Sequence, residues 1–194
     1  MRTSELKSFG MTAQLIESDI QKIEHDYQLE LQPPNGKEIN EKYYPQFDQL
    51  VRDDASKMSK YYELFYCLEK TIRELIALTL KDSKKQSNWW NNHSIPQRIF
   101  DDVNKRMTRE LDSGITLRSD HEIDYTTFGE LSEIIKHNWD EFGSIFSSLR
   151  AVEKILSNLN ILRGPIAHCG HLAEDEVLRL ELSIRDWFRA MEQA

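Results

Sequence analysis

One run of side chains dominates the sequence. Tyr61, Phe65, Leu68, Ile72, Leu75 and Thr79 follow one another at alternating intervals of four and three residues. Those intervals fall on a single face of a 3.6-residue helix. A seam sustained for nearly three heptads needs a partner surface along its whole length, which is the requirement of a helical bundle. Other stripes repeat the pattern. Leu15, Ile16, Ile20, Ile23, Tyr27 and Leu31 form one, stopped by Pro33-Pro34-Asn35-Gly36, and a weaker helical piece is predicted from Glu38 to Val51. Ile95, Ile99, Val103, Met107 and Leu111 form the next, with Pro96 admissible in its first turn. Phe128, Leu131, Ile135 and Trp139 follow the capping candidates Thr126 and Thr127. Phe142, Ile145, Phe146, Leu149, Val152, Leu156 and Leu159 read as one long helix. Val177, Leu180, Ile184, Trp187, Phe188 and Met191 make the last, opened by Glu174, Asp175 and Glu176, acids suited to a helix N-terminus. Polar connectors separate them at 81–88 and 112–125. No segment alternates with period two for long enough to read as a strand. The expected fold is all-α: an antiparallel helical bundle over residues 56–194, preceded by a helical extension over 1–55.

Composition narrows the function classes. With 39% hydrophobic and 30% charged residues the chain is globular, and its formal charge of −8 gives no general attraction to nucleic acid. Any contact with RNA or DNA must be local. The two cysteines, Cys67 and Cys169, make no disulfide framework, so the expected setting is cytoplasmic. Met1 to Gly10 contains no apolar run of a signal peptide, and no stretch of about 18 apolar residues suggests a membrane span.

The chemistry concentrates in Leu162-Arg163-Gly164-Pro165-Ile166-Ala167-His168-Cys169. On an unbroken helix Arg163 and His168, five positions apart, lie about 140° apart around the axis. Gly164-Pro165 is expected to end the helix at Arg163, because proline breaks the hydrogen-bond ladder and glycine accepts the resulting backbone angles. A turn there can aim His168 back toward Arg163. A guanidinium holds two phosphate oxygens and stabilises added charge in a transition state. An imidazole, with an ordinary pKa of about 6.5, moves protons at neutral pH. For RNA those protons are on the 2′-hydroxyl and the leaving 5′-oxygen.

The Arg-x4-His element resembles that of the HEPN superfamily. Leu64-Phe65-x2-Leu68-Glu69-x3-Arg73-Glu74-Leu75-Ile76, the later Trp89-Trp90 and the stretch from Asn158 to His168 support the resemblance, which covers roughly Met58 to Phe188. It is closest to the branch also found fused to a nuclear RNA-surveillance endonuclease. The resemblance implies a four- or five-helix bundle, a homodimer whose paired Arg and His residues form one composite site, and metal-independent RNA cleavage. The products would carry a 2′,3′-cyclic phosphate and a 5′-hydroxyl. It further implies a toxin–antitoxin or phage-defence role, with an antitoxin or defence protein as partner. Two departures stand out. Active members usually carry a polar residue after the arginine, where this chain has Gly164, and His168-Cys169-Gly170-His171 lacks the tyrosine that partner enzymes modify in some toxins. The alternative is therefore a catalytically inactive HEPN module that dimerises or binds nucleotides or RNA.

Each singled-out residue also has a plainer explanation. Arg163 can cap a helix C-terminus, and His168 can be a satisfied residue at a helix junction. Glu69 and Arg73, four apart, suit a surface ion pair, or Glu69 can support the composite site. Asn160 can orient Arg163 or simply pack, and His171 stands near enough in sequence to assist. His168, Cys169 and His171 do not make the spaced four-ligand set of a zinc site, so no metal or cofactor is expected. Trp89-Trp90 can stack on bases or close the core.

Overall fold

The computed structural model describes residues 46–84 and 89–192. The chain divides into two compact units, Met1–Val51 and Arg52–Ala194. The predicted stripe from Leu15 to Leu31, and most of the piece from Glu38 to Val51, lie outside the described residues.

Among the described residues every regular element is helical: α1 (Gln49–Lys84), α2 (Gln97–Asp112), a 3₁₀ turn (Glu122–Tyr125), α3 (Phe128–His137), the single turn α4 (Trp139–Phe142), α5 (Leu149–Ala167) and α6 (Glu174–Glu192). The expected seam of α1 holds at Phe65, Leu68 and Ile72, which are buried, but beyond Ile72 the buried positions are Ile76 and Leu80, one residue past the expected Leu75 and Thr79, which are half-buried. The helix continues to Lys84, so the first half of the predicted connector at 81–88 is helical. Helix α5 packs against both α3 and α6, while α2 packs on the 3₁₀ turn. The centre of the core is aromatic: Phe146 tilts onto Trp187 with ring centroids 5.1 Å apart, and Phe65 meets Phe128 at the same separation.

Two of the expected helices are divided. The stripe from Phe128 to Trp139 stops at His137, where the buried Asn138 amide donates to the carbonyls of Ile134 (2.9 Å) and Ser94 (2.8 Å). The stripe from Phe142 to Leu159 is interrupted over 143–148, and Ser148 opens α5 by accepting the Ala151 amide at 3.3 Å. Phe142, Phe146, Val152, Leu156 and Leu159 are nonetheless all buried. Periodicity reports which side chains the core takes up, and a short turn can preserve that register without a continuous helix. Pro96 precedes α2 as its N-cap, where its missing N–H costs nothing.

Helix α3 is fastened at its start by Glu130. Its carboxylate accepts the Thr127 amide at 2.7 Å, the carboxylate half of a capping box, and binds both terminal nitrogens of Arg106 at 2.7 and 2.8 Å. Burial pushes the pKa of this carboxyl up, but hydrogen bonds from Arg106 and Thr127 outweigh that and hold it below the ordinary glutamate range.

Candidate functional site

Glu69, on α1, is the centre of the site. One carboxylate oxygen receives Arg73, and the other lies 3.2 Å from Nε of Arg163 on α5. Arg73 is fixed in turn: its Nε donates to the Ile123 carbonyl at 3.2 Å and its Nη2 to the Thr126 carbonyl at 3.0 Å. The result is a line from the 3₁₀ turn through Arg73 and Glu69 to Arg163. Its inner members are mostly covered, with side-chain exposures of 11% for Arg73 and 14% for Glu69, whereas Arg163 is 36% exposed. The rigid, buried end thus holds the open end in place. A groove of about 200 Å³ runs past these residues, with Tyr62, Phe65 and Tyr66 on one wall and Ile166 and Ala167 beyond Arg163.

The predicted end of the helix at Arg163 does not occur. Helix α5 passes through Gly164 and Pro165 and ends at Ala167. Proline removes only the one hydrogen bond to the Ile161 carbonyl, and Gly164 has no Cβ for the proline ring to strike. The ladder resumes with the His168 amide on the Gly164 carbonyl at 3.1 Å. The stop comes at Cys169, whose φ of 57° is left-handed, and the Gly170 amide reaches back to the Pro165 carbonyl at 2.8 Å. That six-residue closure is the Schellman arrangement, with cysteine where glycine is usual. Gly170 lies tight on Pro165: an added Cβ would come within 3.3 Å of its Cα and Cβ.

The continuous helix sets where the sequence candidates fall. Arg163 faces α1 and Glu69, while His168 is an exposed C-cap residue about 7.5 Å further along the axis. Among the described residues no hydrogen bond or ion pair joins them, and the His168 ring has no polar partner. Asn160 is exposed and makes no hydrogen bond to Arg163 among those residues; its amide nitrogen instead lies near Gly129 on α3. His171 is exposed, with Nε2 3.5 Å from an Asp54 carboxylate oxygen at the start of α1. Cys67 and Cys169 are both exposed, and no three His, Cys, Asp or Glu side chains among the described residues gather as metal ligands would. Trp90 is buried in the core with Trp89 against its edge, so this pair closes the bundle.

Glu69 pairs with Arg73, as the four-residue spacing predicts, and its other carboxylate oxygen contacts Arg163. The anchoring of Arg73 on two backbone carbonyls and the aromatic wall of the groove were not anticipated. A signal for both was present. Tyr62, Tyr66, Glu69 and Arg73 repeat the four-three-four spacing one residue behind the apolar seam, which marks a second organised face of α1.

The fold and site define an all-helical bundle domain that carries an Arg-x4-His element at the end of its penultimate long helix. The sequence pattern of Swt1-like HEPN domains matches residues 63–192, so the chain belongs to that family. The match spans Glu69, Asn160, Arg163, His168 and His171. No curated protein and no solved structure gives a significant match. No helix among the described residues is long and apolar enough to cross a membrane.

Proposed function

We propose that this chain is a metal-independent endoribonuclease acting as a homodimer, in the manner of a toxin or phage-defence effector restrained by an antitoxin or other partner protein. The observation that carries the reading is the presentation of Arg163: a half-open guanidinium, braced from behind by Glu69 and Arg73, on the same helix end as an exposed imidazole. Since Arg163 and His168 do not meet within one protomer, a second copy completes the site. Arg163 binds non-bridging oxygens of the scissile phosphate and stabilises the charge that builds on them. His168 of one copy takes the proton from the ribose 2′-hydroxyl, whose oxygen forms a new bond to phosphorus. The P–O5′ bond breaks, and the second copy's imidazole supplies a proton to the leaving oxygen. The products are a 2′,3′-cyclic phosphate and a 5′-hydroxyl, with no net oxidation and no water consumed.

Incubation of the purified protein with total RNA in excess chelator, followed by analysis of the new ends, tests this. Cleavage should persist, fall by about 10²–10⁴-fold in His168→Ala and by about 10²–10³-fold in Arg163→Ala. Wild-type rates in His168→Ala would remove the assignment. A second reading, an RNA-binding or dimerisation module without catalysis, is favoured by Gly164 and by the neutralising contact of Arg163 with Glu69. Expression separates the two, since only a nuclease arrests growth in a His168-dependent manner.

A further inference from the structure

We infer that Tyr62 and Tyr66 form a stacking platform for one base of a single-stranded RNA whose phosphate is held by Arg163. This rests on reading the chain as an RNA-acting HEPN domain, and names the part of the substrate that the Arg/His chemistry leaves unrecognised. The two rings stand one helical turn apart on α1 with centroids 6.3 Å apart and planes inclined by 30°. They are 60% and 55% exposed, whereas most other aromatic side chains among the described residues are buried in the core or packed against it. Both line the groove that contains Arg163.

A nucleotide has two unlike halves, a flat apolar base and an anionic phosphate, and this groove has the matching halves in the matching order. Its charged side carries Lys70, Arg73 and Arg163 against the single carboxylate Glu69, although Lys70 also reaches Asp124 at 3.2 Å. That local excess of cations stands out on a chain of formal charge −8 and suits a phosphate. At about 200 Å³ the groove has room for a planar base, and a base must leave its pair and its stack to lie on the tyrosine faces, so the platform suits single-stranded RNA. Stacking on tyrosine is tolerant of base identity, because every base offers a π face.

The test uses the full chain carrying His168→Ala, so that bound RNA stays intact, and a fluorescein-labelled single-stranded oligoribonucleotide with an abasic site moved through each position. Tyr62→Ala/Tyr66→Ala should weaken binding roughly 5- to 100-fold. Tyr62→Phe/Tyr66→Phe, which keeps both rings, should bind as tightly as the parent. At one RNA position the abasic sugar should cost the parent the same factor and cost the alanine variant almost nothing. Parental affinity in the alanine variant, or an equal abasic penalty in both proteins, overturns the inference. So does a loss of affinity that tracks a shift from dimer to monomer in sedimentation, since the tyrosines would then belong to a protein interface. The two readings fail separately. If wild-type protein does not cleave but the abasic pattern holds, the nuclease assignment falls and the platform stands. If cleavage depends on His168 while the abasic penalties are equal, the platform alone falls. Both side chains are more than half exposed, so neither substitution touches the core.

Discussion

Glu69 and Arg163 share an ion pair, yet removing one or the other should have different consequences for the fold. Arg163 is over a third exposed, and solvent screens its contact with Glu69, so Arg163→Ala should change stability by less than about 1 kcal/mol. Glu69→Ala leaves the largely covered Arg73 with backbone carbonyls but without the carboxylate that balances its charge, and should cost about 1–3 kcal/mol. Urea unfolding of the two variants checks the order. If Arg163→Ala proved the more damaging, the residue would be a structural pin rather than a presented functional group, and its loss of activity would carry no mechanistic weight. The same contrast explains what the sequence could and could not convey here. The Arg-x4-His spacing exposed both candidate groups, but Gly164-Pro165 was a misleading guide to their geometry. Proline near a helix end forfeits a single bond, and a glycine before it relieves the clash that would otherwise stop the helix.

Elements were legible where burial sets the pattern and less so where polar side chains do. The first turns of the α1 seam, from Phe65 to Ile72, and the acidic start of α6 follow from spacing and charge alone. The breaks at Asn138 and Ser148 do not, because each is made by a polar side chain bonding to backbone while the apolar register continues across it. Glu130 is the counterpart at the start of α3, a buried carboxylate joining the helix to α2 through Arg106. Glu130→Gln keeps the shape but removes the charge, and should cost about 2–3 kcal/mol, less than a fully buried pair because Arg106 is partly exposed. For a domain of this size that lowers Tm by roughly 4–12 °C. The pH dependence has a definite sign. A carboxyl whose pKa is depressed by folding stabilises the native state above its ordinary value of about 4.3, and the contribution disappears as pH falls through the lower folded value. Wild type should therefore lose more stability than Glu130→Gln between pH 5 and acid conditions, and the two should differ by a constant amount above pH 6. Parallel melting curves down to about pH 3 would show that Glu130 is not held in its charged form.

At the scale of the whole molecule, the question is whether the guanidinium and imidazole work in one chain or across two. Helix α5 is continuous past Arg163, so a fixed rise and rotation separate the two side chains on the same helix, and a rigid helix cannot close that separation. A twofold axis beside the end of α5 would bring two arginines and two histidines around one cleft, which is also the symmetric arrangement that homodimers favour. Mixing Arg163→Ala protein with His168→Ala protein, after partial denaturation to exchange subunits, distinguishes the two cases. Neither variant alone contains both groups. A mixed dimer contains one of each, but only from different chains. If the site is shared, the mixture should cleave RNA faster than either parent but well below wild type, because the mixed dimer keeps one arginine and only one of the two imidazoles, and the gain should scale with the fraction of mixed dimer, which is at most half under random exchange. A site confined to one protomer would gain nothing, because no chain in the mixture retains both residues. Dilution adds a second constraint: a shared cleft should lose activity at concentrations where sedimentation shows the dimer dissociating, and activity that persisted in the monomer would leave the composite geometry without support.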